Sequence, residues 1–331
     1  MSSAKYNVLG IGNAIVDVLS RVEDSFISDH DIAKGTMQLI DEDRAHALYD
    51  AMGPAVEISG GSGANTIAGV AGFGGTAAFV GKVRNDQLGE VFAHDIRATG
   101  VSFTTPLAET GPATARCLVL VTPDGERSMN TYLGACVQLN SDDIDPGEIA
   151  AAEVTYMEGY LWDPPEAKKA FLKAAAIARG ADRQVSLSLS DPFCVDRYRD
   201  SFAELVENEV DILFANEDEI KSLYQVSGFD DALQAVRGKC KIAALTRSAA
   251  GSVIVAGDEV HVIEATKVDE VVDTTGAGDL YAAGFLYGLA TGKDLATCAR
   301  LGSLAAGEII SHIGARPEAN LAGMAKAAAL I

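Results

Sequence analysis

The stretch DILFANEDEIKSLY, residues 211–224, joins a short apolar run directly to a polar stretch of helical character. The run Asp211–Phe214 is typical of a buried strand, and Asn216 is a suitable cap for a helix over Glu217–Tyr224. A strand that leads straight into a helix is the repeating unit of parallel α/β sheets. This stretch therefore predicts an α/β fold.

The same alternation continues on both sides of this unit. The other strand-like runs are Val154–Met157, Val185–Leu189 and Ile242–Leu245. Pro164 and Pro165 open a helix that ends near Arg179. The pattern predicts a parallel sheet with helices on both faces, and ligands bind such sheets where strands turn into helices.

Two hairpins interrupt this alternation. One joins Arg116–Val121 to Arg127–Leu133 through the turn sequence TPDGE, and the other joins Ser252–Val255 to Val260–Ile263. Hairpins within an α/β pattern indicate insertions that form lids or sheet edges.

Charge and composition exclude several classes of protein. The chain has 331 residues with 47 Asp and Glu against 26 Lys and Arg, a net charge of −21 that disfavours binding to nucleic acid or to membrane surfaces. Its five scattered cysteines suggest neither disulfides nor zinc. No apolar run approaches the roughly 18 residues of a membrane span, so we expect a cytoplasmic protein.

The turn DTTGAGD, residues 273–279, is the strongest candidate for a functional site. It precedes a helical stretch, Leu280–Leu289, and its small residues let backbone N–H groups converge at a helix N-terminus, where negative charge is stabilised. Asp279 lies within reach and is a candidate general base for an attacking alcohol. The alternative for Asp279 is an ordinary acidic residue in a first helical turn.

Three further groups admit both a functional and a structural interpretation. The turn Gly60–Asn65 allows close approach of a small ligand or is a plain loop. Asp17 suits vicinal hydroxyls or is an edge-strand residue in water. Asn216 and Glu219, one turn apart, suit the water shell of Mg²⁺ or form a helix cap.

Other motifs are absent. Gly10–Asn13 lacks the third glycine of a dinucleotide fingerprint, and Gly81-Lys82 lacks the spacing of a Walker A loop. No histidine pair has metal-ligand spacing, and no serine-hydrolase motif occurs.

Taken in order, the turn Gly60–Asn65, the pair Asn216 and Glu219, the stretch Leu245–Gly251 and the turn Asp273–Asp279 resemble the ribokinase-like (PfkB) family of sugar and nucleoside kinases. The segments that most resemble its adenosine kinase branch are Gly12–Asp17, Gln38-Leu39, Tyr132–Ala135 and Leu187–Phe193. The resemblance implies a single domain over residues 1–331, a three-layer αβα sandwich covered by a small β-sheet lid. The lid would come from insertions at roughly residues 14–45 and 104–137.

The resemblance also implies roles for individual residues. Asp279 would be the general base and the N–H groups of Gly276, Ala277 and Gly278 the anion hole. The expected acceptor-binding residues are Asn13, Asp17, Gln38, Gly61, Asn65, Leu133 and Phe193. The expected ATP-binding residues are Asn216, Thr246, Ser248, Gly251, Gly276 and Gly278.

ATP and Mg²⁺ are the cofactors implied by this resemblance. Asn216 and Glu219 would order Mg²⁺ through water, while Asp273 and Thr275 are candidates for a monovalent cation such as K⁺. The implied reaction is transfer of the ATP γ-phosphate to the 5′-hydroxyl of adenosine or a similar nucleoside, which would serve purine salvage.

The acceptor and the assembly have alternatives. Adenosine kinases surround the acceptor base with aromatic residues, whereas here Tyr160 is followed by Leu161 and Trp162, so sugars such as ribose or fructose stay open as acceptors. A ligand-binding regulator without catalysis is the third alternative. The family implies either a monomer or a homodimer.

Overall fold

The computed structural model describes residues 4–331, and strands alternate with helices through most of that range. The strands are β1 Tyr6–Ile11, β2 Ile15–Arg21, β3 Met37–Leu39, β4 Val56–Gly60, β5 Ala77–Val80, β6 Ser102–Phe103, β7 Ala115–Val121, β8 Arg127–Tyr132, β9 Ala152–Glu158, β10 Gln184–Ser188, β11 Ile212–Asn216, β12 Ile242–Thr246, β13 Ser252–Ala256 and β14 Glu259–Ile263.

The helices lie mainly between these strands. They are α1 Asp24–Asp29, α2 Glu42–Ala51, α3 Ser62–Gly72, α4 Gln87–Ala98, α5 Pro146–Ala150, α6 Pro165–Gly180, α7 Pro192–Asn208, α8 Glu217–Tyr224, α9 Phe229–Val236, α10 Ala277–Ala290, α11 Leu295–Ile309 and α12 Leu321–Ala327. Short 3₁₀ turns occur at Gly134–Gln138, Ser141–Asp143, Gly159–Trp162 and Ser248–Ala250. Within residues 4–331, none of the helices has both the length and the apolar character that crossing a membrane requires.

The main sheet has nine strands in the order β14-β13-β12-β11-β10-β9-β1-β5-β6. Its strands are parallel from β6 to β12, and β13 and β14 form an antiparallel edge. Alternate residues of β12 serve opposite faces: Ala244 packs into a core with α3, α10 and α11, whereas Ala243 packs into a core with α6 and α7. The predicted αβα sandwich is confirmed.

A second sheet covers one end of the main sheet, in the order β3-β8-β7-β2-β4. We call it the lid. It contains the predicted hairpin of β7 and β8, but it extends further along the chain than expected, because β4 lies beyond residue 45. The sequence of β4 does not indicate a strand, because it contains the charged Glu57 and follows Gly53-Pro54 closely. The segment is a strand because it pairs with β2.

Register determines which lid residues share a face. Asp17 pairs with Cys117, which pairs with Thr131. Arg127 lies on the same face, since it pairs with Val121, four residues beyond Cys117. Arg127 reaches Asp273 in the turn before α10, so this face of the lid looks onto that turn.

Candidate active site

The turn before α10 has the geometry of an anion-binding site. Gly276 caps the helix with φ +80°, a conformation that favours glycine, and a Cβ there would lie 3.2 Å from the Cα of Ala315. Among residues 4–331, no acceptor bonds the backbone N–H groups of Gly276 and Gly278, whereas the N–H of Ala277, the third expected donor of the anion hole, bonds the backbone oxygen of Thr274 at 3.2 Å. Free N–H groups at a helix N-terminus stabilise a phosphate or a developing oxyanion.

Asp279 lies in the first turn of α10 and is held by two donors from α3. The Ser62 hydroxyl donates to its Oδ1 at 2.6 Å, and the Asn65 amide donates to its Oδ2 at 3.1 Å. Burial raises the pKa of Asp279, while these two donors and the positive charge of Arg316 act in the opposite direction. A partly buried, oriented carboxylate beside an anion site can accept a proton from an alcohol.

The turn at Gly60 and Gly61 lets the lid approach α3. Gly61 has φ +95°, and a Cβ there would collide with the backbone oxygen of Asn13. A Cβ at Gly60 would collide with the carboxylate of Asp17. The turn joins β4 of the lid to α3 of the sandwich, so it is the junction of the two layers around Asp279.

Asp17 lies on the lid face that looks onto the turn before α10. Burial raises its pKa to about 6, and the charge of Asp279 adds to this, while Arg316 and Arg127 lower the pKa. Within residues 4–331, no group donates a hydrogen bond to its carboxylate. Both oxygens are available to accept bonds from hydroxyl groups.

Asn13 is held by Glu158, a residue that the sequence reasoning missed. The backbone N–H and the Nδ2 of Asn13 donate to Glu158 at 3.1 and 2.7 Å, and the N–H of Gly63 donates to it at 2.7 Å. Glu158 thereby ties the end of β1 to the N-terminus of α3. Its position directly after the predicted strand Val154–Met157 was the available signal.

Glu158 makes stability depend on pH. Burial raises its pKa from 4.5 to about 7, so between these values the folded state keeps a proton that the unfolded chain has lost. The free energy of unfolding therefore falls as pH rises through this window, by about 3 kcal/mol at full effect. We expect Glu158→Gln to flatten that fall in urea titrations from pH 4 to 8. The exposed Glu90→Gln is the control, and an equally steep fall in Glu158→Gln would contradict the assignment.

The expected nucleotide-binding residues lie at the carboxyl ends of β11 and β12. Asn216 pairs in register with Thr246. Asn216 caps α8 by accepting bonds from the N–H groups of Asp218 and Glu219, and both Glu219 oxygens accept bonds from Asn216. The capping interpretation of this pair is confirmed.

Ser248 and Gly251 follow β12 in a tight turn. Gly251 has φ +82°, and a Cβ there would collide with the backbone oxygen of Ile263 on β14. The turn lies beside the guanidinium of Arg247, which bonds Glu217 at 3.1 Å and stacks on Phe229. Thr246, Ser248 and Gly251 thus lie at the carboxyl end of β12, next to Asn216 at the carboxyl end of β11.

Asp273 is engaged by protein donors. Its Oδ1 accepts the N–H of Thr275 at 3.0 Å, and its Oδ2 accepts the N–H of Gly314 at 3.1 Å and the guanidinium of Arg127. Burial opposes ionisation, but these donors hold the pKa of Asp273 below its ordinary value. Each Asp273 oxygen thus accepts at least one protein hydrogen bond, and the role of Asp273 at a monovalent cation stays a prediction. Arg127 is a second residue that the sequence reasoning missed.

The remaining expected acceptor residues lie on the lid and at the carboxyl end of β10. Phe193 lies in the first turn of α7, at the carboxyl end of β10, and is 79% exposed. Leu133 directly follows β8 of the lid. Gln38 departs from the expectation: it pairs with Asn130, which pairs with Leu118, so register places it on the lid face opposite to Asp17.

Arg316 is a third residue that carried no signal in the sequence. It lies between α11 and α12 and donates to backbone oxygens on either side of the Gly60–Gly61 turn.

An open polar cavity of about 460 Å³ lies away from these residues and is lined by residues such as Lys82, Glu109 and Asp143. None of the expected site residues contributes to it.

Comparisons with known proteins indicate the family of this chain. A protein-family model described as "pfkB family carbohydrate kinase" matches residues 40–320. The crystal structure of an adenosine kinase from Sinorhizobium meliloti is 55% identical, with a TM-score of 0.90 over 98% of this chain and 100% of that one. A probable sugar kinase from Rhizobium etli CFN 42 is 54% identical, with a TM-score of 0.92 over 99% and 100%.

A more distant relative covers nearly the same length. Adenosine kinase 2 of Arabidopsis thaliana is 28% identical over 95% of this chain and 96% of its own. The predicted resemblance is confirmed, and with it a phosphotransferase that acts on an alcohol group. The chain belongs to the pfkB family of carbohydrate kinases.

Proposed function

We propose that this kinase transfers the γ-phosphoryl group of ATP to the 5′-hydroxyl of adenosine or a similar nucleoside. The observation that carries the proposal is Asp279, held by Ser62 and Asn65 beside the free N–H groups of Gly276 and Gly278. The likeness to the adenosine kinase from Sinorhizobium meliloti supports a nucleoside acceptor.

The residues of the chain divide the work of the transfer. Asp279 accepts the proton of the attacking hydroxyl, and the N–H groups of Gly276 and Gly278 stabilise the charge that develops on the phosphoryl oxygens. Asp17 accepts bonds from ribose hydroxyls and so orients the acceptor. Glu158 holds Asn13 and the start of α3 in place.

The donor set at Asn216 and Glu219 fits Mg²⁺ bound through water. Glu219 is 5% exposed, and burial together with the charges of Asp191, Asp218 and Asp279 raises its pKa to about 7. A hard cation suits such a cluster of oxygen ligands and keeps several waters. No group of three His, Cys, Asp or Glu residues among 4–331 is arranged to ligate a metal directly. When bound, Mg²⁺ neutralises phosphate charge.

Two exposed aromatic rings favour a nucleoside over a free sugar. Phe193 is 79% exposed and Tyr160 is 37% exposed, and both follow neighbouring strands, β10 and β9. The Tyr160 N–H bonds the Ser190 hydroxyl at 3.3 Å, which keeps the two turns together. Exposed rings at a binding edge offer stacking surfaces for a base. Leu161 and Trp162 are buried in the sandwich instead.

The acceptor is tested by measuring ADP release with adenosine, other nucleosides, ribose and fructose. We expect kcat/KM for a nucleoside to exceed that for free sugars by about 100-fold, since stacking on aromatic side chains contributes about 1–3 kcal/mol per base. Phe193→Ala should lower kcat/KM for the nucleoside by about tenfold and leave sugar activity unchanged. Leu172→Ala, an exposed apolar residue on α6, is the matched control.

Activity on free sugars without activity on nucleosides would support the second candidate, a sugar kinase, which the likeness to the probable sugar kinase from Rhizobium etli favours. Acceptor binding without ADP release would support a regulator that has lost catalysis.

We further expect a cytoplasmic protein that serves purine salvage. It is expected to be a monomer or a homodimer, and light scattering distinguishes the two assemblies.

A further inference from the structure

Arg316 clamps the junction between the lid and the sandwich. Its Nε and Nη2 donate to the backbone oxygen of Ser59 at 3.0 and 2.6 Å, and its Nη1 donates to the backbone oxygen of Ala64 at 2.7 Å. Nη2 also donates to the Ser59 hydroxyl at 3.1 Å. Ser59 lies in β4 and Ala64 in the first turn of α3, so one guanidinium holds both sides of the Gly60–Gly61 turn.

A carboxylate holds the same junction from the other side. Asp95 on α4 accepts the Ser59 N–H at 2.8 Å and the Ser59 hydroxyl at 2.6 Å. Ser59 is fully buried between these two groups. The segment that they fix continues directly into Ser62 and Asn65, the two donors that hold Asp279. A shift of this backbone therefore moves both donors away from the carboxylate.

The charge of Arg316 is not neutralised by contact. Among residues 4–331, none of its hydrogen bonds goes to a carboxylate, and although burial lowers its pKa to about 10, it stays protonated at neutral pH. This charge interacts electrostatically with Asp17 on β2, Asp95 on α4 and Asp279 on α10. It opposes the effect of burial on the pKa of both Asp17 and Asp279.

Other titratable groups around the two aspartates act alongside Arg316. Arg127 on the lid faces Asp17. Apart from Asp17 and Arg316, the charge of Asp279 acts on Tyr156, Glu158, Tyr160 and Glu219. Since Asp17, Glu158 and Glu219 are acidic and the tyrosines are neutral at pH 7, Arg316 is the positive charge within residues 4–331 that acts on Asp279 itself.

We propose that Arg316 is a positioning residue for phosphoryl transfer, which fixes the backbone on both sides of the Gly60–Gly61 turn and places a positive charge beside Asp17 and Asp279. The proposal rests on the proposed role of Asp279 as general base. Arg316 acts through the turn and through its charge, without contact to the reacting atoms.

The test compares Arg316→Gln, Arg316→Lys and Arg97→Gln. We expect Arg316→Gln to lower kcat by about tenfold or more and to move the acid limb of the kcat/KM profile upward by about one pH unit, because that limb reports the general base of the free enzyme. Arg316→Lys should lower kcat, because an ammonium group cannot reproduce the hydrogen bonds of the planar guanidinium to Ser59 and Ala64. It should leave the acid limb in place, because lysine keeps the positive charge.

Arg97 is the control for the loss of a guanidinium fork, because it lies on α4 and donates twice to the backbone oxygen of Phe103 on β6. We expect Arg97→Gln to leave kcat and the acid limb unchanged. A folded Arg316→Gln enzyme with wild-type kcat and an unmoved acid limb overturns the proposal. If Arg316→Gln does not fold, wild-type kcat in Arg316→Lys overturns it. Each variant is assayed with an acceptor that the wild type phosphorylates. An error in the proposed acceptor class therefore shows in the wild-type assays and does not affect the comparison of the variants.

Discussion

Asp279→Asn will lower kcat by about 10²–10⁴-fold, the contribution usual for a positioned general base. The amide has the shape of the carboxylate but cannot accept the proton of the attacking hydroxyl. Its NH₂ group also faces one of the two donors, Ser62 or Asn65, which both point at this side chain. Steady-state assays with the best acceptor measure the loss.

The fold should survive this exchange. Burial disfavours the charged form of Asp279, so we expect the free energy of unfolding of Asp279→Asn to be equal to that of the wild type or higher. Asp294→Asn is the matched control, since Asp294 caps α11 away from the site and asparagine is an equally good cap. Turnover of Asp279→Asn within tenfold of the wild type would refute the assigned role.

Gly61→Ala will lower kcat/KM by about 100-fold or more. At φ +95° and ψ 140° an L residue is strained by about 1–3 kcal/mol, and the new Cβ collides with the backbone oxygen of Asn13. Since backbone cannot yield as a side chain does, the turn must move. That movement displaces Ser62 and Asn65 from Asp279, and Asn13 from Glu158. Kinetic assays together with thermal unfolding separate the loss of activity from loss of fold.

Gly74→Ala separates backbone strain from collision. Gly74 has φ +89°, nearly the same as Gly61, but a Cβ there would meet nothing within 4 Å. We expect Gly74→Ala to lose about 1 kcal/mol of stability and to keep kcat/KM within twofold of the wild type. Equal losses of kcat/KM in Gly61→Ala and Gly74→Ala would show that the contact of Gly61 with Asn13 has no part in the site.

The net charge of −21 is compatible with phosphate chemistry because the positive elements of the site are local. Backbone N–H groups at α10 and the two guanidiniums of Arg127 and Arg316 surround the acidic side chains that meet at the junction of lid and sandwich. Each of these arginines lowers the pKa of Asp17. Long-range repulsion of anions is screened within about 8 Å at physiological salt, so the arrangement near the anion site governs binding.

The strand-turn-helix units were predictable because their causes are local. The apolar run Asp211–Phe214 and the capping residue Asn216 are neighbours in sequence, and the structure forms β11 and α8 there. The glycines of the turn Asp273–Asp279 likewise predicted a helix N-terminus, and α10 begins at Ala277. The same holds for the hairpin of β7 and β8, which its turn sequence indicates.

The site itself depends on partners that are far apart in sequence. Asp279 meets Ser62 across 217 residues, Glu158 meets Asn13 across 145, and Arg316 meets Ser59 across 257. No local pattern marks such pairs, and a single Arg has no motif, so Arg127 and Arg316 were missed. For Glu158, the position directly after a predicted strand was the one signal. Gln38 fell on the other face of the lid because a side chain's face follows from register, which the pairing of β3 with β8 decides.

Local sequence predicts the α/β class, the helix that begins within DTTGAGD and candidate residues for phosphoryl transfer, because propensity, capping and glycine conformation act between neighbours. Which carboxylates are held, buried or paired follows instead from contacts between elements that are distant in sequence. The ionisation of Asp17, Glu158 and Asp279 depends on desolvation and on charges supplied by other elements, and both exist only once the lid has packed against the sandwich.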